Sequence, residues 1–324
     1  METKTKYKSR FSRAPVLNED GSPKAVPPSR LTDQDIEIFK ALLAHRFLSP
    51  DYIAALIGSS YKYVLTRTQI LKSEPNCYLK IADEQLANRR AYTCTTIFLE
   101  LDSPGITELE ELGISVPARR AVKNFTHGVM VDQIMASFRI GARGSAKLIS
   151  RAHILANPKT PVATRNASVP DRIPLPPKNG KPHYVRPDGE MFVLHDGEHF
   201  YFFPGIEADT GSEPIHSYDY ERTSIHQKFV DYLTILDQGI YRSHFGANTF
   251  FIPFVTSTSR RLASMMTMLE QMTEKHPHLR KSFLFKQHPT FKSSEKPRAS
   301  GHMVSEPWLR VGYPPMTFGD GKIQ

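Results

Sequence analysis

Polar, basic and proline-bearing positions with no apolar period fill residues 1–30, and such a stretch is expected to be a disordered arm. The first helical period follows it. Ile36, Phe39, Leu42 and Leu43 share one face of "LTDQDIEIFKALLAHRF". Thr32 is its N-cap and Asp35 lies three residues on, a variant of the capping box. A second helix, "SPDYIAALIG", has Ser49 as cap, Pro50 in its first turn and Gly58 as its stop. A third starts at Ser59–Ser60 and runs "YKYVLTRTQILK". The alternating stretches "YLKI" and "AYTCT" then predict a β-hairpin whose tip ends in Arg89 and Arg90. Three helices with a tight second connection, followed by a hairpin, predict a winged helix-turn-helix over residues 31–115. A short acidic helix, Ile106–Ile114, closes it.

Beyond this point the period changes twice. Val131, Ile134, Met135 and Phe138 form a helical apolar stripe with His127 in line, and a histidine so placed reads first as a core residue. Residues 155–183 are loop-like. "HYVRPDGEMFVLHDGEHFYFFPGIEAD" then holds three apolar stretches separated by "RPDG" and "HDGEH", with Asp196–Gly197 a hairpin signal. Ile225, Phe229, Tyr232 and Leu233 mark a helix, "NTFFIPFVT" a buried strand, and "SRRLASMMTMLEQMTEKH" a helix capped by Ser257 or Ser259. "KSFLFK" is a last strand. Helix, three strands, helix, strand, helix, strand predicts an α/β domain with a mixed sheet over residues 120–286. Residues 287–324, rich in Pro, Gly, Ser and basic residues, are expected to be an irregular basic tail.

Charge sharpens this organisation. The formal net charge is +9 over 324 residues. Residues 1–30 carry seven Lys/Arg against three acids, and residues 277–324 carry eight against three, so the two ends hold the whole excess. Residues 115–165 add nine Lys/Arg against the single acid Asp132. Basic ends and a basic block are the electrostatic footprint of a nucleic-acid binder. The apolar runs are too short to span a bilayer, and the first residues carry no apolar core of a secretory signal. Two cysteines, Cys77 and Cys94, lack ligand spacing, so no disulfide framework is expected and a reducing cytoplasm is the default location.

The candidate chemistry lies in "FFPGIEADTGSEP". Glu207 and Asp209 are two apart, so on a strand they face one side. Asp188, in the turn "RPDG", is brought toward Glu207 by the intervening hairpin. Two such carboxylates suit a hard cation such as Mg²⁺, which could activate water for phosphodiester cleavage. Lys228 sits on the following helix. Bland roles remain open for the same residues: a turn position for Asp188, turn capping for Glu207 and Asp209, and a solvated helix face for Lys228.

Pro187-Asp188, Glu207-Ala-Asp209, Lys228 and "FFIPFVT", in that order, resemble the PD-(D/E)xK nuclease superfamily. With "HGVMVDQI" and "KFVDYL" added, residues 31–286 resemble the replication-relaxation family of plasmid and mobile-element proteins. The resemblance implies a winged helix joined to a restriction-endonuclease-like domain, with Asp188, Glu207, Asp209 and Lys228 as candidate catalytic positions and Asp188 and Glu207 as metal ligands if the site is active. One departure matters. The nuclease motif places a lysine two residues after the glutamate, and this chain has Asp209 there. The expected function is therefore binding of double-stranded DNA with an inactive nuclease-like domain and no cofactor. Ser60, Tyr61, Lys62, Tyr63, Arg67, Arg89 and Arg90 are the expected DNA contacts. The alternatives are an Mg²⁺-dependent nuclease, with Lys228 migrated into the missing role, and a non-catalytic subunit of a replication or conjugation complex.

Overall fold

A computed structural model describes residues 30–87, 96–117, 124–215 and 224–318. Residues 30–87 and 97–117 form one compact unit, and residues 124–215 and 224–318 belong to a second.

The first unit opens with α1 (Asp33–Ala44), α2 (Pro50–Ile57) and α3 (Tyr61–Lys72). The capping box forms as the sequence predicts: the Thr32 hydroxyl accepts from the Asp35 amide, and the Asp35 carboxylate accepts from the Thr32 amide. Gly58 ends α2 in the left-handed conformation, at φ 69°. The buried stripe of α1 is Ile38, Phe39 and Leu42, and Ile53, Val64 and Leu71 of α2 and α3 are buried with it in the unit's core. Next come β1 (Leu79–Ile81), α4 (Asp83–Ala87), β2 (Leu99–Leu101) and α5 (Ser103–Glu111). Strand β1 pairs antiparallel with β2, Leu79 opposite Leu101, and β2 also meets Leu48 through a bridge at Leu99. The partner of β1 is thus Leu99–Leu101, since "FLEL" carries the apolar side chains that close the core. The stretch Ala91–Thr95 lies outside the described residues, as do Arg89, Arg90 and residues 1–29. Helix α5 starts three residues before the predicted segment because Asp102 caps it and Pro104 occupies its first turn.

The second unit runs α6 (Phe125–Ala142), β3 (Lys147–Ile149), α7 (Arg151–Ala156), α8 (Val162–Arg165), β4 (Ile173–Lys178), β5 (Lys181–Val185), β6 (Phe192–His195), β7 (Phe200–Phe203) and β8 (Glu207–Asp209). Then follow α9 (Ile225–Asp237), α10 (Ile240–Phe245), β9 (Ile252–Thr256), α11 (Ser259–Met272), β10 (Phe283–Gln287), α12 (His302–Ser305), β11 (Trp308–Arg310) and β12 (Tyr313–Met316). A mixed five-stranded sheet has the order β12-β11-β10-β9-β8. Its strands β8, β9 and β10 are parallel, whereas β10, β11 and β12 are antiparallel. A three-stranded antiparallel sheet, β3-β6-β7, turns at Asp196–Gly197, and β4-β5 is a separate hairpin.

Side-chain alternation along the five-stranded sheet separates two cores. Ile252, Phe254, Phe283 and Phe285 pack with Phe229 and Tyr232 of α9 and with Met265 and Leu269 of α11. Val255, Leu284 and Ala208 pack on the other side with Ile134 and Phe138 of α6. The second core corrects the expected tail. Met303, Val304, Trp308, Met316 and Phe318 are all buried in it, so the described residues beyond 286, through 318, complete the sheet and do not trail from it. Gly141 of α6 and Gly301 meet backbone to backbone there; a Cβ on Gly141 would lie 2.4 Å from the Gly301 carbonyl oxygen. Residues 155–183, expected as loop, hold α8 and the β4–β5 hairpin, whose turn puts Asn179 and Gly180 at φ 53° and 72°. The stretch "HYV" therefore pairs with β4, and the neighbours of β6 are β3 and β7. Thr258, one residue from each predicted cap, is the cap of α11.

Candidate nucleic-acid interface and carboxylate site

In the first unit, α3 turns Val64, Thr68 and Leu71 inward. Its first turn is left to solvent: Tyr61 is 54% exposed and Tyr63 36%, and Lys62 is exposed with no ion-pair partner among the described residues. The Ser60 hydroxyl accepts from the Tyr63 amide, 3.2 Å away, and so fixes that turn. Arg67 is placed differently. Its guanidinium grips both Asp35 oxygens at 2.7 Å and donates to the Arg30 carbonyl at 3.0 Å. Burial alone would raise the Asp35 carboxyl, but Arg67 and the donors of Thr32 outweigh it and hold its pKa below the ordinary value. Arg67 is a structural clasp between α3 and α1. Of the expected contacts, Ser60, Tyr61, Lys62 and Tyr63 share one exposed turn.

In the second unit the backbone brings two of the candidate acids together. Asp188 and Ile206 exchange both amide hydrogen bonds, each at 2.8 Å, in an isolated antiparallel bridge. Gly205 permits it, because at its φ of 148° a Cβ would meet the Asp188 carbonyl oxygen at 2.6 Å. Glu207 follows immediately, and the Ala208 amide donates to Asp188 Oδ2 at 3.0 Å. Since Ala208 faces the core under α6, Glu207 and Asp209 both face α9 and α11, as the period of two requires.

Their surroundings then diverge. Glu207, 3% exposed, receives the Tyr232 hydroxyl on Oε1, and its Oε2 lies 2.9 Å from Lys228 Nζ. The same ammonium lies 3.0 Å from Glu213. His127 Nε2 sits 3.1 Å from Asp188 Oδ2. Asp209 belongs to a separate cluster: Arg261 grips both of its oxygens, Thr256 Oγ1 donates at 2.8 Å and the Gly211 amide at 3.1 Å. The three acids therefore do not converge on one empty space: Asp209 stands apart from the other two. Lys228 pairs with Glu207 and also acts on Asp188, the His127 ring bonds Asp188, and Arg261 pairs with Asp209.

The protonation equilibria follow this pairing. Burial pushes the Glu207 carboxyl up, and Asp188 adds to that, while Lys228 and Tyr232 pull it back only in part. Asp188 lies below the ordinary carboxylate range because its bond to His127 overcomes its burial. Asp188 in turn raises His127 above the usual imidazole value. Burial disfavours the Lys228 ammonium, but the carboxylates of Glu207, Asp188 and Glu213 more than offset it and hold Lys228 charged.

Searches among protein-family models, curated proteins and solved structures found no match to this chain.

Asp188 and Glu207 are the residues that could hold a divalent cation, which takes six or more oxygens from protein and water together. As arranged, they do not fit one. Both Glu207 oxygens are engaged, and the positive charge beside it is the Lys228 ammonium, which a cation would have to displace. Four contributors escaped the sequence reading: His127, Glu213, Tyr232 and Arg261. Tyr232 was readable in principle, one helical turn beyond Lys228 at i,i+4. His127 was visible only as a histidine on an apolar stripe, since its partner is 61 positions away. Nothing local marks Arg261.

Proposed function

We propose that the protein binds double-stranded DNA through a winged helix in its first unit, with the first turn of α3 entering the major groove. The observation that carries this reading is that exposed turn, where Tyr61, Lys62 and Tyr63 project from a helix whose opposite face is buried. A recognition helix reads bases with its N-terminal residues, and Lys62 has its charge free for phosphate. The order α1, Leu48, α2, α3, β1, β2, with Leu48 and β1 flanking β2, supports the winged-helix reading. The motif order that resembles the replication-relaxation family directs the proposal to a plasmid, phage or other mobile element, in replication, transfer or its regulation.

The second unit is a nuclease-like module whose acidic site is neutralised from within and does not cut. Lys228 supplies the ammonium missing two residues after Glu207, but it arrives as a counter-ion between Glu207 and Glu213. The test is plasmid binding and nicking by the purified chain with Mg²⁺, with Mn²⁺ and with chelator. Salt-sensitive retardation without cleavage is expected in all three. Cleavage that needs the metal and vanishes in both Asp188→Ala and Glu207→Ala would install the nuclease reading, and no retardation at low salt would sink the DNA-binding one.

A further inference from the structure

A cleft of about 700 Å³ opens in the second unit, formed by residues that neither the DNA-binding reading nor the carboxylate site uses. Its floor is apolar, with Ile149, Ile154, Phe202, Phe245 and Met316 among its lining. Phe200 stands at it 55% exposed. Exposed phenylalanines normally move, but this one is held. Its ring stacks on His195, its cross-strand neighbour, with centroids 4.0 Å apart and planes 10° apart. Its carbonyl accepts from Thr249 Oγ1 at 2.7 Å. The hairpin tip beside it is fixed by Asp196, which takes the amides of Glu198 and His199 at 3.0 and 2.7 Å and the Tyr201 hydroxyl at 2.8 Å. The result is a rigid aromatic surface that still faces solvent.

The charge around it has one dominant sign. Lys159 and Arg310 line the cleft, and neither has a carboxylate partner among the described residues; Arg310 donates Nε to the Pro314 carbonyl. Glu198 is the only acid lining it among the described residues, and His199 lies beside it at 4.0 Å. A flat apolar body and an anionic group on one small molecule would satisfy both features. A rigid aromatic face with nearby cations is also how proteins hold unpaired bases, by stacking the base and screening its phosphate.

We propose that this cleft binds a nucleotide, its base stacked on Phe200 and its phosphate on Lys159 and Arg310. The nucleotide can be free in solution or one unit of a single strand, and the test separates the two. Isothermal titration of the full chain uses dTMP, thymidine, inorganic phosphate and a single-stranded thymidine dodecamer. Binding of dTMP or the dodecamer is expected, about tenfold weaker in Phe200→Ala, the loss that removing one base–aromatic stack produces, and several-fold weaker in Lys159→Gln. Both side chains are exposed, so both variants should melt with the wild type. Saturable dTMP binding with no response to the dodecamer assigns the free nucleotide; binding of the dodecamer assigns the strand. The inference fails if neither probe binds at millimolar concentration, if both variants bind as the wild type does, or if inorganic phosphate competes as well as dTMP. Duplex affinity is measured in parallel and should not change in Phe200→Ala, so loss of the duplex reading and loss of this one are separate results.

Discussion

Lys228 Nζ lies 2.9 Å from Glu207 Oε2 and 3.0 Å from Glu213, so one ammonium on α9 is shared between a buried acid at the start of β8 and a second acid beyond that strand. Breaking such a pair from one side leaves a buried charge unanswered. Lys228→Met should cost about 3 kcal/mol in urea denaturation. The Glu207 carboxyl already titrates above its ordinary value, and without Lys228 it should rise further. A group whose folded pKa is raised gains stability as pH falls through that value. The deficit of Lys228→Met should therefore shrink on acidification, and Glu207→Gln in the same chain should recover most of it. A deficit that does not change with pH would mean that Lys228 acts by packing alone.

The His127–Asp188 pair makes a pH prediction with two limbs, one from each partner. His127 titrates above the ordinary imidazole value and Asp188 below the ordinary carboxylate value. The histidine contribution is fully present below about pH 6.5, its unfolded value, and is lost as pH rises through the higher folded value. The aspartate contribution is present above about pH 3.9 and lost as pH falls through the lower folded value. The pair is partly exposed, so solvent screening keeps its worth to no more than about 1 kcal/mol. His127→Ala should flatten the slope of stability against pH just above about 6.5 and leave it unaltered once the pH is well above the folded imidazole value. Proton NMR titration of His127 in the wild type and in Asp188→Asn supplies the direct check, with the imidazole value falling in the variant.

Asp209 tests how the acids are grouped. Three acids converging on an empty site would repel, and Asp209→Asn would then be neutral or stabilising. The structure instead gives Asp209 to Arg261 and Thr256. An amide keeps a bond to Thr256 but loses the charge that Arg261 answers. Asp209→Asn should thus destabilise by about 2 kcal/mol, the worth of a hydrogen-bonded charge. Arg261→Met should cost a similar amount, and the double variant less than the sum of the two, as for residues in one network.

That correction shows what local pattern carries and what it does not. Strands β9 and β10 are legible because "FFIPFVT" and "KSFLFK" are short apolar runs with breakers around them, and α9 because its stripe keeps the helical period. The convergence of Asp188 and Glu207 is legible too, since a hairpin between them forces it. The β4–β5 hairpin was hidden by Pro174, Pro176 and Pro177, although Asn179–Gly180 is itself a turn signal. These prolines are tolerated because the hairpin has only two strands, so each has an edge that needs no donor. Arg67 looked like a phosphate ligand because charge type and helix position are local, whereas its partner Asp35 is 32 positions away.

The C-terminal segment hid for another reason: its core residues come singly or in pairs among Pro, Gly and Ser. Trp308 is fully buried, stacks on Phe138 at 5.8 Å and donates its indole nitrogen to the Met303 carbonyl at 2.8 Å. It is also the only tryptophan in the chain, so its fluorescence reports this core alone. Trp308→Phe should fold with a reduced melting temperature, and Trp308→Ala should lose about 3–5 kcal/mol. Truncation after residue 290 should leave the five-stranded sheet incomplete and expose the apolar face of β10. A truncated chain that melts cooperatively at the wild-type temperature would restore the segment to the status of a tail.

Lys62 and Arg67 sit on the same helix and separate the proposed DNA contact from a structural charge. Lys62 is exposed without an acid partner, whereas Arg67 spends its guanidinium on Asp35 and the Arg30 carbonyl. Each lysine that neutralises a phosphate contributes about 0.9 to the slope of log affinity against log salt. Lys62→Ala should weaken duplex binding, lower that slope by about 0.9 and leave the melting temperature alone. Arg67→Ala should do the reverse, because it strands the buried Asp35 carboxylate: melting falls, while the salt slope of the protein that remains folded stays at the wild-type value. Arg67→Lys should recover little, since an ammonium cannot reproduce the two-point grip on Asp35. Anisotropy titrations with a fluorescent duplex at several salt concentrations, run beside thermal melts, read both quantities. If the two substitutions move the salt slope equally, Arg67 leaves Asp35 to bind phosphate, and the contact surface extends a full turn farther along α3 than the exposed first turn.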